Sequence, residues 1–137
     1  MIVALAGGVG AAKILCGLVE VIPPETLTII SNTGDDITLY GLHISPDIDI
    51  VAYTLSGLVD DVRGWGVRGD TFACLAMLQR YGEVGWFNLG DRDLATHILR
   101  TQRLQAGHSL TDITASLCQA LALTTRILPM CDAPVPS

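Results

Sequence analysis

Residues 1–18 read MIVALAGGVGAAKILCGL. Met1 to Ala6 is a short apolar run, which predicts a buried strand. Two glycines interrupt it. Beyond them Ile14, Leu18 and Ile22 recur at four-residue spacing, and Leu15 and Val19 widen the stripe. That pattern predicts a helix over 11–22, stopped by Pro23 and Pro24. A strand that passes through a Gly-rich turn into a helix opens a parallel α/β unit. Its turn aims backbone N–H groups at an anion, and the helix dipole favours negative charge there.

The same alternation continues outward. Leu27 to Ile30 reads as a second strand, followed by the loop SNTGDD. Ser45-Pro46 predicts an N-cap with Pro at N1, opening a helix through Leu55. The stretch GLVDDVRGWGVRGD is loop-rich, and Asp70 is placed to cap a helix over TFACLAMLQRY. Val84 to Leu89 predicts a short strand, GDRD a turn, and 94–104 a helix. Ser109-Leu-Thr-Asp112 resembles a capping box and predicts a helix through Leu121. Thr125 to Leu128 predicts a last strand. Strands alternating with helices imply a Rossmann-like parallel sheet with helices on both faces. Ligands of such sheets bind beyond the carboxyl ends of the strands, so AGGVGAAK, SNTGDD and LGDRD are the loops to examine.

The Gly loop fits neither common nucleotide pattern. Gly8-Val-Gly10 supplies two glycines of GxGxxG, but the third position is Lys13, and the second strand ends Ser31-Asn32 without an acid. Ala12-Lys13-Ile14 breaks the P-loop pattern as well. The anion-binding physics survives both failures, and Lys13 is the one lysine among 137 residues.

Bulk properties narrow the class. The chain is long enough for one domain with a real core. Its net charge is −6, with 14 acids against 8 bases, which disfavours nucleic acid as a partner. No apolar run reaches the length of a membrane span. The first apolar run is too short and too uncharged at its start for a signal peptide, which predicts a cytoplasmic protein. Cys16, Cys74, Cys118 and Cys131 lie too far apart for metal-type pairs, and the expectation is reduced, buried thiols.

Seven of the acids fall between residues 35 and 70, and all seven are aspartates: Asp35, Asp36, Asp47, Asp49, Asp60, Asp61 and Asp70. Short carboxylates in loops suit Mg²⁺. Asp47 and Asp49 share the first turn of a predicted helix but lie on different sides of it. In LGDRDLATH, Asp91, Arg92 and Asp93 open a helix, Arg92 can fork onto phosphate, and His97 lies one turn after Asp93. Trp65 and Trp86 are candidates to stack on a planar ring. His43 and His108 are expected in exposed loops without a role.

Five blocks together, AGGVGAAKIL, SNTGDDITLYGLHISPDIDIVAYTL, GWGVRGDTFACL, WFNLGDRDLATHILRTQRLQAGHSLTDIT and RILPMCDAPV, resemble the 2-phospho-L-lactate transferases of coenzyme F-420 biosynthesis. The resemblance runs in order over nearly the whole chain and corresponds to the N-terminal half of that family's longer members. It implies transfer of a 2-phospholactyl or phosphoenolpyruvyl group from a guanosine diphosphate donor to the ribityl hydroxyl of the deazaflavin FO, with release of GMP and a requirement for Mg²⁺. It places Asp49 and Asp35 among the catalytic residues, and Asp35, Asp36 and Asp49 at the metal. It places Gly7, Gly8, Gly10, Lys13, Asn32, Thr33, Asn88, Gly90, Asp91, Arg92 and Asp93 at the substrates. Asn88 stands where many members carry a base, Cys131 where Ser is frequent, and Ala133 where a second acid is common. The small-molecule substrates are the partners implied, and homodimerisation is open for the full-length protein. Two other readings remain: a non-catalytic, nucleotide-sugar-binding relative of the same fold, and an inactive, truncated binding domain.

Overall fold

The computed structural model describes residues 1–83 and 88–132. Strand β1 (Ile2–Ala6) leads through Gly7 into helix α1 (Gly8–Val21), and a single 3₁₀ turn over Pro24–Thr26 delivers the chain to β2 (Leu27–Ser31). There follow β3 (Ile37–Leu39), β4 (Leu42–Ile44), α2 (Pro46–Ser56), α3 (Ala73–Arg80), α4 (Asp91–Gln105), α5 (Leu110–Ala120) and β5 (Arg126–Pro129). The sheet runs β1-β2-β5, all parallel, with Ile2 opposite Leu27 and Thr28 opposite Arg126. The Rossmann-like expectation holds: a parallel sheet with helices to both sides.

The strand in the middle carries the core. Leu27 and Ile29 of β2 are fully buried, and Ala12, Leu15, Val51, Tyr53, Cys118 and Ile127 pack in the same cluster. β1 is different. It is an edge strand, and Leu5 is 81% exposed and Val3 54%. Both sit on the face of the sheet opposite Ala4 and Ala6, which join the core.

One element was not expected. Between SNTGDD and α2 the chain folds into an antiparallel hairpin, β3 with β4, pairing Ile37 with Ile44 and Leu39 with Leu42. Its two-residue turn is Tyr40-Gly41, both at positive φ (53° and 74°). That is the geometry that matches hairpin twist, but with tyrosine in a position where Asn or Asp is the usual signal. The predicted strand over 84–89 and Trp86 fall largely or wholly outside the described residues, as does Ala133.

The carboxyl ends of the strands draw three segments together. The Asn32 amide donates to the Ala6 carbonyl at 3.0 Å, and the Met130 amide donates to Ser31 at 2.8 Å. A Cβ on Gly7 would lie 3.7 Å from that of Asn32. The Asn32 side chain in turn donates to Asp47 at the start of α2, at 2.8 Å. No helix among the described residues is long and apolar enough to cross a membrane.

Candidate functional site

Helices α2 and α4 face each other with polar side chains at turn-spaced positions, Asp49 and Tyr53 on one, Asp93, His97 and Arg100 on the other. All five are buried, and Arg100 and His97 almost completely. The Arg100 guanidinium pairs with Asp49 Oδ1 through Nη2. Its Nη1 donates to the His43 carbonyl at 3.2 Å and lies 3.4 Å from His97 Nδ1. His97 Nε2 lies 3.1 Å from Asp93 Oδ2, within ion-pair reach but off the line of a hydrogen bond. The Tyr53 hydroxyl donates toward Asp93 Oδ1 at 2.7 Å and lies 2.8 Å from the Thr96 hydroxyl.

Asp49 Oδ2 is buried without a hydrogen-bond partner, 3.7 Å from His97 Nδ1. One ligand atom from each of Asp49, Asp93 and His97 lies within 4.8 Å of the others. Two carboxylates and an imidazole at that spacing form a potential divalent-cation site. A cleft of about 360 Å³ opens above it, lined by Ile44, Pro46, Asp49, Ile50, Tyr53, Trp65, Gly66, Asn88, Asp93 and His97. Trp65 is half-buried in one wall, with the Arg63 guanidinium 4.9 Å from its ring centre.

The two carboxyls are tuned in opposite directions. Burial pushes Asp49 above the ordinary aspartate value, against the pull of Arg100 and His97. Burial acts on Asp93 too, but the neighbouring His97, the Tyr53 hydroxyl and Arg100 outweigh it, and its carboxyl sits below the ordinary value. The Tyr53 hydroxyl, buried beside both, is driven well above its usual range. Adjacent carboxyls pushed apart in this way suit acid–base work, one inclined to take a proton and the other held ionised.

The other aspartates have separate surroundings. Asp36 is buried: its Oδ2 accepts from the Ser45 hydroxyl at 2.8 Å and lies 3.0 Å from His43 Nε2, while its Oδ1 has no partner. This corrects two expectations. Ser45 donates to Asp36 rather than capping α2 with its side chain, and His43 is half-buried on β4 rather than loose in a loop. Asp35 is exposed, 3.5 Å from the Asn32 amide nitrogen. Asp47 faces Asn32, and only Asp49 of the pair lines the cleft. Among the described residues, Asp35 and Asp36 do not join Asp49 in a preassembled ligand set.

At the Gly-rich turn, Gly7 is the N-cap of α1, no side chain caps that end, and its first turn holds no acid. Gly8 takes φ 81°, a left-handed conformation that favours glycine. Gly10 is exposed, and a Cβ there would meet nothing within 4 Å. Lys13 does not join this end: it is exposed and lines a different cleft with Cys16, Gly17, Thr54, Val59, Asp60, Asp61 and Gly64. Thr33 is buried, and its carbonyl accepts from the Asp36 amide at 3.1 Å.

The start of α4 is already occupied by protein. Asp70 accepts from the Arg92 and Asp93 amides at 2.8 and 3.1 Å. Asp91 accepts from the Thr71 hydroxyl at 2.6 Å and from the Ala73 and Cys74 amides, both at 3.0 Å. Asp70 therefore caps α4 rather than α3, and Asp91 caps α3 in exchange. Gly90 makes the exchange possible, because a Cβ there would fall 2.0 Å from Asp70 Oδ2. Arg92 is exposed, and its Nη1 lies 3.4 Å from the Arg68 carbonyl. Asn88 is exposed at the rim of the Asp49 cleft.

Of the four cysteines only Cys118 is buried, and burial pushes its thiol up to about 11. Cys74 and Cys131 are exposed, which corrects the expectation of four core thiols. His108 is exposed, as expected. Sequence reading missed Tyr53 and Arg100. The signal was their spacing, Asp49 to Tyr53 and His97 to Arg100, each one helical turn, but nothing local says that the two helices face each other.

Comparison with known proteins adds a family. A family model described as 2-phospho-L-lactate transferase CofD matches residues 2–136. The phosphoenolpyruvate transferase of Streptomyces griseus is 50% identical over 132 residues, covering 96% of this chain and 42% of that protein. Its namesake in Thermobifida fusca is 47% identical over 140 residues, covering 96% and 44%. That of Mycobacterium tuberculosis is 44% identical over 142 residues, covering 93% and 43%. The chain spans less than half the length of these curated relatives.

Proposed function

Because the chain belongs to the 2-phospho-L-lactate transferase family, we propose that it serves a transfer from a guanosine diphosphate-linked donor to the ribityl hydroxyl of the deazaflavin FO, releasing GMP. The relatives' name, phosphoenolpyruvate transferase, favours an enolpyruvyl over a lactyl group on the donor. The observation that carries the reading is the buried Asp49–Asp93–His97 cluster at the floor of a cleft large enough to hold part of a planar substrate.

Phosphoryl-type transfer needs three things: donors for the non-bridging oxygens, a held nucleophile, and charge neutralisation. The uncapped N-terminus of α1, with Gly7, Gly8 and Gly10, is the end suited to phosphate. Asn32 and Thr33 flank it from the second loop. Lys13, facing another cleft, would contribute through its field rather than by contact. Trp65, backed by Arg63, suits the face of the FO ring, and Asn88 offers the rim an amide. Gly90, Asp91 and Arg92 fix the start of α4, so we place them as supports of Asp93 more than as direct contacts.

A divalent cation fits the residues present. Asp49 Oδ2 and Asp36 Oδ1 are buried oxygens without partners, and carboxylate oxygens are what Mg²⁺ prefers. Asp49 and Asp93 would hold the ion, with Asp36 and Asp35 on the neighbouring loop. When bound, it would neutralise charge on the transferred phosphoryl group. By the family resemblance Asp49 lies where the acceptor hydroxyl is expected, and it would act there as a ligand of the ion.

The fluorescence of FO provides the test. The chain is titrated into FO with and without Mg²⁺ and GDP. A saturable change, sharpened by Mg²⁺ or GDP and lost in Asp49→Asn, is the expected result. No change from a folded sample, and none after extension with the remaining region of a relative, would remove the assignment.

A further inference from the structure

We propose that Arg100 is a positioning residue for Asp49: its buried guanidinium holds Oδ1 and leaves Oδ2, beneath the cleft and without a hydrogen-bond partner, as a ligand for a divalent cation. The inference rests on the metal-assisted reading above and adds to it a residue to which the sequence analysis gave no role.

Burial sets the requirement. Arg100 is 0% exposed, and an arginine cannot shed its charge, so it needs a carboxylate close by. Asp49 is that carboxylate, yet only one of its oxygens is used. A fold needing no more than an ion pair would cover the second oxygen with a donor, since a bare buried carboxylate oxygen is costly. Here Oδ2 stays bare, 3.7 Å from His97 Nδ1, and a carboxylate oxygen of Asp49 groups with ligand atoms of Asp93 and His97 within 4.8 Å.

The planar fork explains why the residue is arginine. Nη2 meets Asp49 on α2 while Nη1 meets the His43 carbonyl on β4. A lysine ammonium offers no such fixed pair of directions. His43 also lies 3.0 Å from Asp36 through its ring. One guanidinium thus links Asp49 to the strand whose His43 ring meets Asp36, and among the described residues Asp36 and Asp49 are the aspartates with a buried oxygen that lacks a hydrogen-bond partner.

The test uses the 137-residue chain and Mn²⁺ alone, with the free ion counted by electron paramagnetic resonance. Arg100→Lys, Arg100→Gln and Asp49→Asn are compared with the unaltered chain, and circular dichroism confirms the fold of each. Arg100→Lys is expected to weaken Mn²⁺ binding by about ten- to a hundredfold, and Arg100→Gln by more, while Asp49→Asn abolishes it. A folded Arg100→Lys or Arg100→Gln that binds Mn²⁺ like the unaltered chain, while Asp49→Asn does not, would overturn the positioning role and leave the metal reading standing. Absence of Mn²⁺ binding to the unaltered chain, or undiminished binding to Asp49→Asn, would sink both.

A measurement on the unaltered chain covers the case in which the variants do not fold. The Arg100 guanidinium N–H resonances are followed by nitrogen-15 NMR as Mg²⁺ is added. They are expected to remain in slow exchange at saturation, because the pair persists with the ion bound. Their loss would mean that the ion takes both oxygens of Asp49, which contradicts the proposal.

Discussion

Helices α1 and α4 both begin after a glycine, but their first turns are in opposite condition. At α1 no side chain caps the helix and no acid lies in the first turn. At α4 the Asp70 carboxylate already accepts from the Arg92 and Asp93 amides. Backbone donors at a helix start attract anions only while they are unspent. A phosphate therefore has a reason to settle at α1 and little reason to displace Asp70 from α4. Two turns that look alike on paper have different work: one is kept open, and the other is locked so that Asp93 and His97 stand where they do.

The sharpest way to break this contrast is Gly90→Ala. Its Cβ would collide with Asp70, so the substitution should destabilise the chain by about 1–3 kcal/mol, read as a lower urea midpoint. Asp70→Ala, which empties the same cap without a clash, should cost about 0.5–2 kcal/mol.

Asp91 gives a pH signature. The hydrogen bond from the Thr71 hydroxyl, then the Cys74 and Ala73 amides, hold its carboxyl below the ordinary value. As pH falls, the unfolded chain takes up this proton before the folded one does. The contribution is thus complete above about pH 4 and is lost as pH drops through the folded value. Asp91→Asn should flatten this part of the acid limb in urea unfolding followed across pH. An unchanged limb would separate Asp91 from the lock.

The smallest expected effect is at the open end. Nothing lies near the position of a Cβ on Gly10, so Gly10→Ala should be neutral or stabilise α1 by about 0.5–1 kcal/mol. If phosphate approaches that turn, the added methyl should nonetheless weaken GDP binding in calorimetry. Tighter or equal GDP binding would move the phosphate site elsewhere.

Legibility followed the range of the interaction. The first two strands and α1 were plain from periodicity, and Ser109 caps α5 as its spacing predicts, accepting from the Asp112 amide at 3.1 Å. Asp49 and the Asp93–His97 pairing were also readable, the latter because residues four apart share a helix face. The β3–β4 hairpin was not, since Tyr40-Gly41 lacks the usual turn composition. Ser45, Asp70 and Asp91 each carried a correct local signal, a side chain able to cap a helix. Each found its partner in another segment: Ser45 on Asp36, and the two aspartates on each other's helix.

The sequence by itself determined the parallel α/β architecture, the open Gly-rich turn and the family, because hydrophobic period, breakers and motif blocks are properties of neighbouring residues. Only the tertiary structure decided that Lys13 faces away from the Asp49 cleft, that Asp70 and Asp91 exchange caps, and that Arg100 is the counter-charge of Asp49. Those outcomes depend on contacts between segments far apart in sequence: the starts of α3 and α4 for the exchanged caps, and the facing sides of α2 and α4 for Arg100 and Asp49. There, removal from water forces each charge onto a partner many residues away.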